Sequence, residues 1–124
     1  MNFSSIFAIG LAGAAGTVAR WGVNQAALHL AGPAYPWGTF TVNMVGCFLF
    51  GLLAVLLDSG RIPQEWKVIL LTGFLGGFTT FSAFAFENGQ FLMNRKWDFL
   101  AFHLIGQNVL GVLFLLLGMR IAGR

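Results

Sequence analysis

The chain has 124 residues, of which 57% are hydrophobic and 9% are charged. An ordinary soluble domain carries about 25% charged residues, so this composition excludes a soluble globular domain, a disordered chain and a coiled coil. The net charge of +3 is spread along the chain and does not indicate a nucleic-acid-binding protein. Because a membrane-spanning helix needs roughly 20 apolar residues, four spans use nearly all of a single domain, residues 1–124.

The first predicted span covers residues 4–28 and has a face of small residues. Gly10, Gly13 and Gly16 recur every three residues, a pattern typical of helices that approach each other closely in lipid. The N-terminus lacks the basic region and the cleavage site of a signal peptide, so we predict that this span is retained. Arg20 either extends to the headgroups or raises the local anion concentration at a vestibule.

The second predicted span, residues 38–57, carries the amide of Asn43. An unpaired polar group is expensive in hydrocarbon, so Asn43 is expected to face protein or water. Two roles remain open for it. Asn43 holds helices together, or it donates a hydrogen bond to an anion in a path.

The third predicted span, residues 66–92, contains a segment rich in Gly, Thr and Ser that weakens a helix. Each glycine costs about 1 kcal/mol relative to alanine in a helix interior. We therefore predict that the helix is broken in its middle, near Gly76 and Thr79. A break would free backbone carbonyls, which a cation with oxygen ligands would satisfy. A simple glycine kink is the alternative.

Phe81 and Phe84 share a face of the third span, where lipid contact is the default role for such residues. Aromatic rings have a positive edge that can point at an anion, but one such contact is worth only on the order of 1 kcal/mol. Desolvating a small anion costs tens of kcal/mol in a low-dielectric medium. Neutral donors such as Thr80, Ser82 and Asn43 would have to share that task.

The fourth predicted span, residues 97–121, carries His103 and Gln107 four residues apart on one face. They form either a hydrated track or a hydrogen bond that seals an interface. A histidine there could make transport depend on pH. The four tryptophans fall near predicted span ends, as expected of rings at a membrane–water boundary: Trp21, Trp37, Trp66 and Trp97.

The basic residues are nearly balanced between the two sides of the membrane. Four are predicted on the N-terminal side and three on the other: Arg61, Lys67, Arg120 and Arg124 against Arg20, Arg95 and Lys96. Orientation depends on a clear excess of Lys and Arg on one side. The near balance favours insertion in both orientations and an antiparallel, dual-topology homodimer; the alternative is one orientation set by a single strong charge.

No pattern of catalytic residues is found. The sequence has no Cys/His metal spacing, no phosphate-binding glycine loop with a lysine and no paired acids within one span. Glu87, an acid predicted near a span end, has headgroup contact as its default role. These features favour a membrane pore or carrier over an enzyme.

Three motifs, taken together, resemble the Fluc (CrcB) fluoride channels over nearly the whole chain. They are Gly13-x-x-Gly16-x-x-x-Arg20-Trp21, Gly38-Thr39-x-x-x-Asn43 and Thr72-Gly73-Phe74-x-Gly76-Gly77-x-Thr79-Thr80-Phe81-Ser82-x-Phe84-x-x-Glu87. The resemblance implies an all-α membrane protein with four spans, the third one broken, in an antiparallel homodimer with two fluoride pores. It also implies a structural Na⁺, not transported, on backbone carbonyls of Gly76 and Thr79.

The resemblance further assigns residues to the fluoride path. They are the rings Phe81 and Phe84, the amide Asn43, the polar Ser82 and Thr80, and the vestibule cation Arg20. The fourth span departs from the pattern, because His103 and Gln107 stand where some members have Tyr and Ser.

The expected function is passive, fluoride-selective export across the cytoplasmic membrane. The alternatives are a small dual-topology multidrug or cation exporter and a structural membrane subunit that transports nothing.

Overall fold

The structure, a computed structural model, describes residues 3–123 and is all-helical, with no strand in that range. Its helices are α1 (Phe3–Ala31), α2 (Trp37–Asp58), α3 (Val68–Leu75, continuing as Gly76–Phe78), α4 (Phe81–Met93) and α5 (Trp97–Ala101, continuing as Phe102–Gly106 and Gln107–Ala122). Met1, Asn2 and Arg124, which entered the signal-peptide prediction and the count of basic residues, lie outside the described range.

Four segments are long and apolar enough to cross a membrane: α1, α2, Val68–Met93 and α5. This confirms the prediction of four spans. Many of their large side chains are exposed, including Leu11, Ile105 and Leu113, as expected of helices surrounded by lipid. The chain is therefore a multi-pass membrane protein.

The third span is interrupted at Thr79 and Thr80, whose backbones are extended with ψ angles of 161° and 116°. The preceding eight residues of α3, Val68–Leu75, form a π-helix, a form that appears frequently at functional sites. Gly76 keeps helical angles, so the interruption begins three residues beyond the glycine where the sequence analysis placed its start. The threonines form the break, whereas Gly73 and Gly77 pack closely against α1.

Glycines set the distance between paired helices. α1 lies against α3 so closely that a Cβ added at Gly16 would overlap the carbonyl oxygen of Phe74, and one at Gly77 would overlap that of Gly13. α2 and α5 meet in the same way, since a Cβ at Gly118 would overlap the carbonyl oxygen of Phe48. These contacts fix the first half of the interrupted span against α1, and α5 against α2.

Candidate functional site

Asn43 of α2 binds the backbone at the break in the third span. Its Oδ1 accepts from the Thr80 backbone N–H at 2.9 Å, and its Nδ2 donates to the Thr80 carbonyl at 3.1 Å. A backbone that leaves helical geometry at membrane depth needs such partners, because no water is present to replace them. Asn43 therefore stabilises the break.

Each side of the break has its own hydrogen-bond partners. The Thr80 hydroxyl caps α4 by accepting from the Ala83 N–H at 3.2 Å. Arg20 donates from Nη1 to the Thr79 carbonyl at 3.3 Å. Because the Thr80 N–H is turned towards Asn43, the Gly76 carbonyl does not receive the N–H that a continuous helix would offer it.

The Asn43 amide is hydrogen-bonded to the amide of Gln107 on α5, which in turn contacts the imidazole of His103. Asn43 Nδ2 donates to Gln107 Oε1 at 2.9 Å, and Gln107 Nε2 lies 3.1 Å from Nδ1 and 3.0 Å from Nε2 of His103. The His103 side chain is fully buried. The spacing of four residues thus brings His103 and Gln107 into contact, and Asn43 joins them from α2.

Three further residues complete the hydrogen-bonded network at the end of the bundle. His103 Nε2 lies 3.0 Å from Glu87 Oε2, and the Thr39 hydroxyl donates to Glu87 Oε1 at 2.6 Å. The Tyr35 hydroxyl lies 2.6 Å from His103 Nδ1. We call this set the polar chain: Tyr35, Thr39, Glu87, His103, Gln107, Asn43 and Thr80.

Tyr35 reaches the polar chain from the short loop between α1 and α2. Gly32, in a left-handed conformation with φ of +75°, turns the chain there, between α1 and Pro33. The Tyr35 ring is buried and stacks on Phe91 at a centroid distance of 6.2 Å. Burial and the nearby Glu87 carboxylate raise the pKa of Tyr35, so its hydroxyl keeps its proton.

The polar chain lies between two cavities. One, of about 420 Å³, opens at the loop end and is lined by Asn24, Tyr35, Thr39, Glu87 and Lys96, among others. The other, of about 480 Å³, is an open groove whose lining includes Asn43, Gly76, Thr80, Phe81, Phe84 and Gln107. The buried His103 separates them. A small ion that moved from one cavity to the other would pass the hydrogen-bonding groups of the polar chain.

The two phenylalanines occupy different environments. Phe84 is 7% exposed and its ring lies 5.2 Å from that of His103, whereas Phe81 is 78% exposed at the edge of the groove. Their ring centroids are 5.6 Å apart. Ser82 lies 3.4 Å, oxygen to oxygen, from the Thr80 hydroxyl. The groove thus combines the rings of Phe81 and Phe84 with neutral polar groups in a lining whose remainder is mostly apolar.

The structure gathers most of the predicted site residues around the polar chain and adds others. Asn43, Thr80, His103 and Gln107 belong to it, whereas Arg20 lies at the break. Tyr35 and Thr39 were missed, and Glu87 was assigned to the headgroups. Thr39 lies four residues before Asn43 on the same helical face, a spacing that would have revealed it. No comparable pattern marks Tyr35 or Glu87, because the contacts that bring them to His103 are long-range.

Comparison with known proteins identifies the family to which the chain is similar along most of its length. The family model described as CrcB-like protein, Camphor Resistance (CrcB), matches residues 7–119. The chain is 49% identical over 115 residues to a protein of Nitrosococcus oceani named fluoride-specific ion channel FluC, covering 92% of each chain. A protein of that name from Solidesulfovibrio magneticus is 43% identical, with 90% of each chain covered. One from Prosthecochloris aestuarii is 39% identical over 98% of this chain and 94% of its own.

Proposed function

The chain belongs to the CrcB-like family, a family of fluoride ion channels and not of enzymes. We propose that it is a passive, fluoride-selective channel of the cytoplasmic membrane that lets fluoride leave the cell. The observation that carries the proposal is the polar chain between two cavities in a four-span protein whose relatives are named for fluoride. Export lowers the toxicity of fluoride that has accumulated inside.

The chemistry of the polar chain suits a small anion that must also leave again. Asn43 and Gln107 carry neutral N–H donors, and the rings of Phe81 and Phe84 line the groove. Neutral donors bind an anion less tightly than fixed positive charges do, and conduction requires binding that is favourable but reversible. Selectivity would arise from a path too narrow for a larger, hydrated anion.

The channel proposal is tested by efflux from liposomes. With valinomycin and K⁺ present to carry the compensating positive charge, fluoride-loaded liposomes that contain the purified protein are expected to lose their fluoride rapidly, whereas chloride-loaded liposomes of the same preparation retain their ion. Protein-free liposomes of the same lipid correct for HF that crosses the bilayer. Equal leakage of both ions would contradict selectivity, and no fluoride release would contradict the channel itself.

We also propose that two copies assemble as an antiparallel homodimer around a structural Na⁺ that is not transported. The open groove beside Gly76, with Phe81 at its edge, supports a second copy as its cover. The near balance of basic residues on the two sides supports opposite orientations. A two-fold axis would supply each contact twice, so that each chain needs to provide only half of the cation's ligands.

The residues fit this cation in part. The Gly76 carbonyl has lost its helical partner and is free to bind a cation with oxygen ligands. The Thr79 carbonyl already accepts from Arg20 at 3.3 Å, so Na⁺ would share that oxygen with a guanidinium. When bound, Na⁺ would hold carbonyl oxygens of both breaks at the axis.

Replacement of Na⁺ on both sides of the membrane by N-methyl-D-glucamine tests the cation site. Fluoride flux is expected to fall because the large organic cation cannot enter between the carbonyls, and restoring Na⁺ should restore it. Fluoride flux that is unchanged without Na⁺ would remove the cation site and leave the channel proposal standing.

Two other functions are distinguished by the same liposomes. A proton-coupled multidrug or cation exporter uses a carboxylate within its spans, and Glu87 lies inside the bundle on α4. Such an exporter would release a lipophilic cation in exchange for protons that move down a pH gradient, and it would not conduct fluoride. A structural subunit would transport neither.

A further inference from the structure

The Tyr35 hydroxyl occupies one of the two ring nitrogens of His103. Its oxygen lies 2.6 Å from Nδ1, and in the described part of the chain the hydroxyl has no other partner. Glu87 Oε2, a carboxylate oxygen that only accepts, lies 3.0 Å from Nε2. A neutral ring therefore carries its proton on Nε2 and offers the Nδ1 lone pair to the Tyr35 O–H. Both ring nitrogens are thus satisfied by residues outside α5.

The side-chain nitrogen of Gln107 is left without an acceptor as a consequence. It lies 3.1 Å from Nδ1 and 3.0 Å from Nε2 of His103. An atom in the ring plane cannot keep both distances, because the carbon between the two nitrogens would stand in its way. The Gln107 nitrogen therefore lies over the face of the imidazole, where an N–H makes only a weak contact with the π-electrons. Residues 3–123 place no other acceptor within hydrogen-bond distance of it.

Asn43 prevents the Gln107 amide from exchanging its two ends. The Thr80 N–H only donates, so the Asn43 atom that it meets at 2.9 Å is the amide oxygen. The Asn43 nitrogen then meets Gln107, which answers with its own oxygen at 2.9 Å. The Gln107 side chain is buried and belongs to the lining of the groove. A buried amide donor without an in-plane acceptor therefore stands at the groove.

We propose that Tyr35 is a positioning residue of the fluoride path, whose hydroxyl occupies Nδ1 of His103 and so keeps the Gln107 N–H free to donate to fluoride. The proposal rests on the channel function above and adds the residue that controls one of its donors. Without the hydroxyl, Nδ1 would be a buried acceptor with a vacant lone pair, and Gln107 Nε2 already lies 3.1 Å away. A small rotation of the imidazole would turn that contact into an in-plane hydrogen bond and withdraw the donor from the path.

The Tyr35 ring is held in place independently of its hydroxyl. It is buried among six aromatic rings, whose centroids lie 4.6 to 6.3 Å from its own: Trp37, Phe40, Phe91, Phe99, Phe102 and His103. Tyr35→Phe keeps this ring and its packing and removes a single O–H. The substitution therefore separates the proposed positioning role from the role of the ring in anchoring the α1–α2 loop.

Liposome efflux of Tyr35→Phe, Gln107→Met and the double variant tests the proposal. Each single substitution is expected to lower the protein-dependent fluoride flux on the order of tenfold or more, because each removes the same charge-assisted hydrogen bond to the anion. The double variant should lose no more than Gln107→Met alone, because Tyr35 acts only through the Gln107 amide. Ser59→Ala is the matched loss of a hydroxyl: Ser59 is exposed beyond the other end of α2, donates to the Leu56 carbonyl at 3.2 Å, and should leave the flux unchanged.

Losses that multiply in the double variant would overturn the proposal, as would wild-type flux through Tyr35→Phe. If the wild-type protein passes no fluoride, the channel function fails, and NMR of glutamine-labelled protein still decides the role of Tyr35. The side-chain amide signal of Gln107, identified by its absence from Gln107→Met, is expected to shift when fluoride replaces chloride. This shift should disappear in Tyr35→Phe; equal shifts in the two proteins, or no shift in either, would overturn the proposal.

Discussion

Asn43→Leu is expected to lower the protein-dependent fluoride flux at least about a hundredfold, which corresponds to about 2.7 kcal/mol. The amide makes three hydrogen bonds, two with the Thr80 backbone and one with Gln107. Leucine has a similar size and offers none of them. Each unsatisfied buried polar group costs about 1–3 kcal/mol, so the Thr80 N–H and carbonyl alone would destabilise the break by several kcal/mol.

Asn108→Leu is the matched control for this substitution. Asn108 lines the same groove, but it is exposed and its amide donates to the Leu104 carbonyl of its own helix at 2.6 Å, so its loss leaves the hydrogen bonds at the break intact. Its replacement should leave the flux within about twofold of the wild type. The measurement is liposome efflux with equal amounts of protein, after size-exclusion chromatography has shown that both variants are folded. Wild-type flux through Asn43→Leu would refute the role of Asn43 at the break.

Gly16→Ala is expected to lower the thermal stability of the protein, although alanine is the better helix former. The added Cβ would overlap the Phe74 carbonyl oxygen and lie 2.9 Å from the Phe78 nitrogen. Both are backbone atoms of α3, so no side-chain rotation relieves the overlap. Overpacking costs about 1–3 kcal/mol or more, which exceeds the gain of about 1 kcal/mol in helix propensity.

Gly10→Ala provides the comparison, because nothing lies within 4 Å of a Cβ at that position of the same helix. It should be neutral or slightly stabilising. Thermal unfolding in detergent, followed by circular dichroism, should give an apparent Tm about 5–10 °C lower for Gly16→Ala than for Gly10→Ala. Equal Tm values would show that α1 and α3 do not pack as closely as the structure has them.

The four spans and their approximate bounds could be read from the sequence because hydrocarbon permits few alternatives. Every backbone polar group in a bilayer must find an internal partner, so long apolar segments become helices. The same constraint drew attention to Asn43, because a lone amide in such a segment must have a partner. His103 and Gln107 followed from helical periodicity alone.

The position of the break was less predictable. The sequence placed the break between Gly76 and Thr79; in the structure Gly76 stays helical, and the break lies at Thr79 and Thr80, which are extended. Helix propensity is a weak local preference, and the long-range hydrogen bonds of Asn43 and Arg20 to this backbone outweigh it. The close contact of α1 with Gly77 gives these glycines a packing role that no local pattern separates from helix breaking.

By itself, the sequence determined a helical membrane protein with four spans, the family to which it belongs, and the identity of the isolated polar residues within its spans. These properties follow from composition, helical periodicity and contiguous motifs, all of which are local. Only the tertiary structure decided that Tyr35 and Glu87 meet His103 and that Thr39 meets Glu87, because those contacts join residues up to 68 positions apart. Hydrogen bonds of this kind depend on the distances and angles between packed helices, which no single segment encodes.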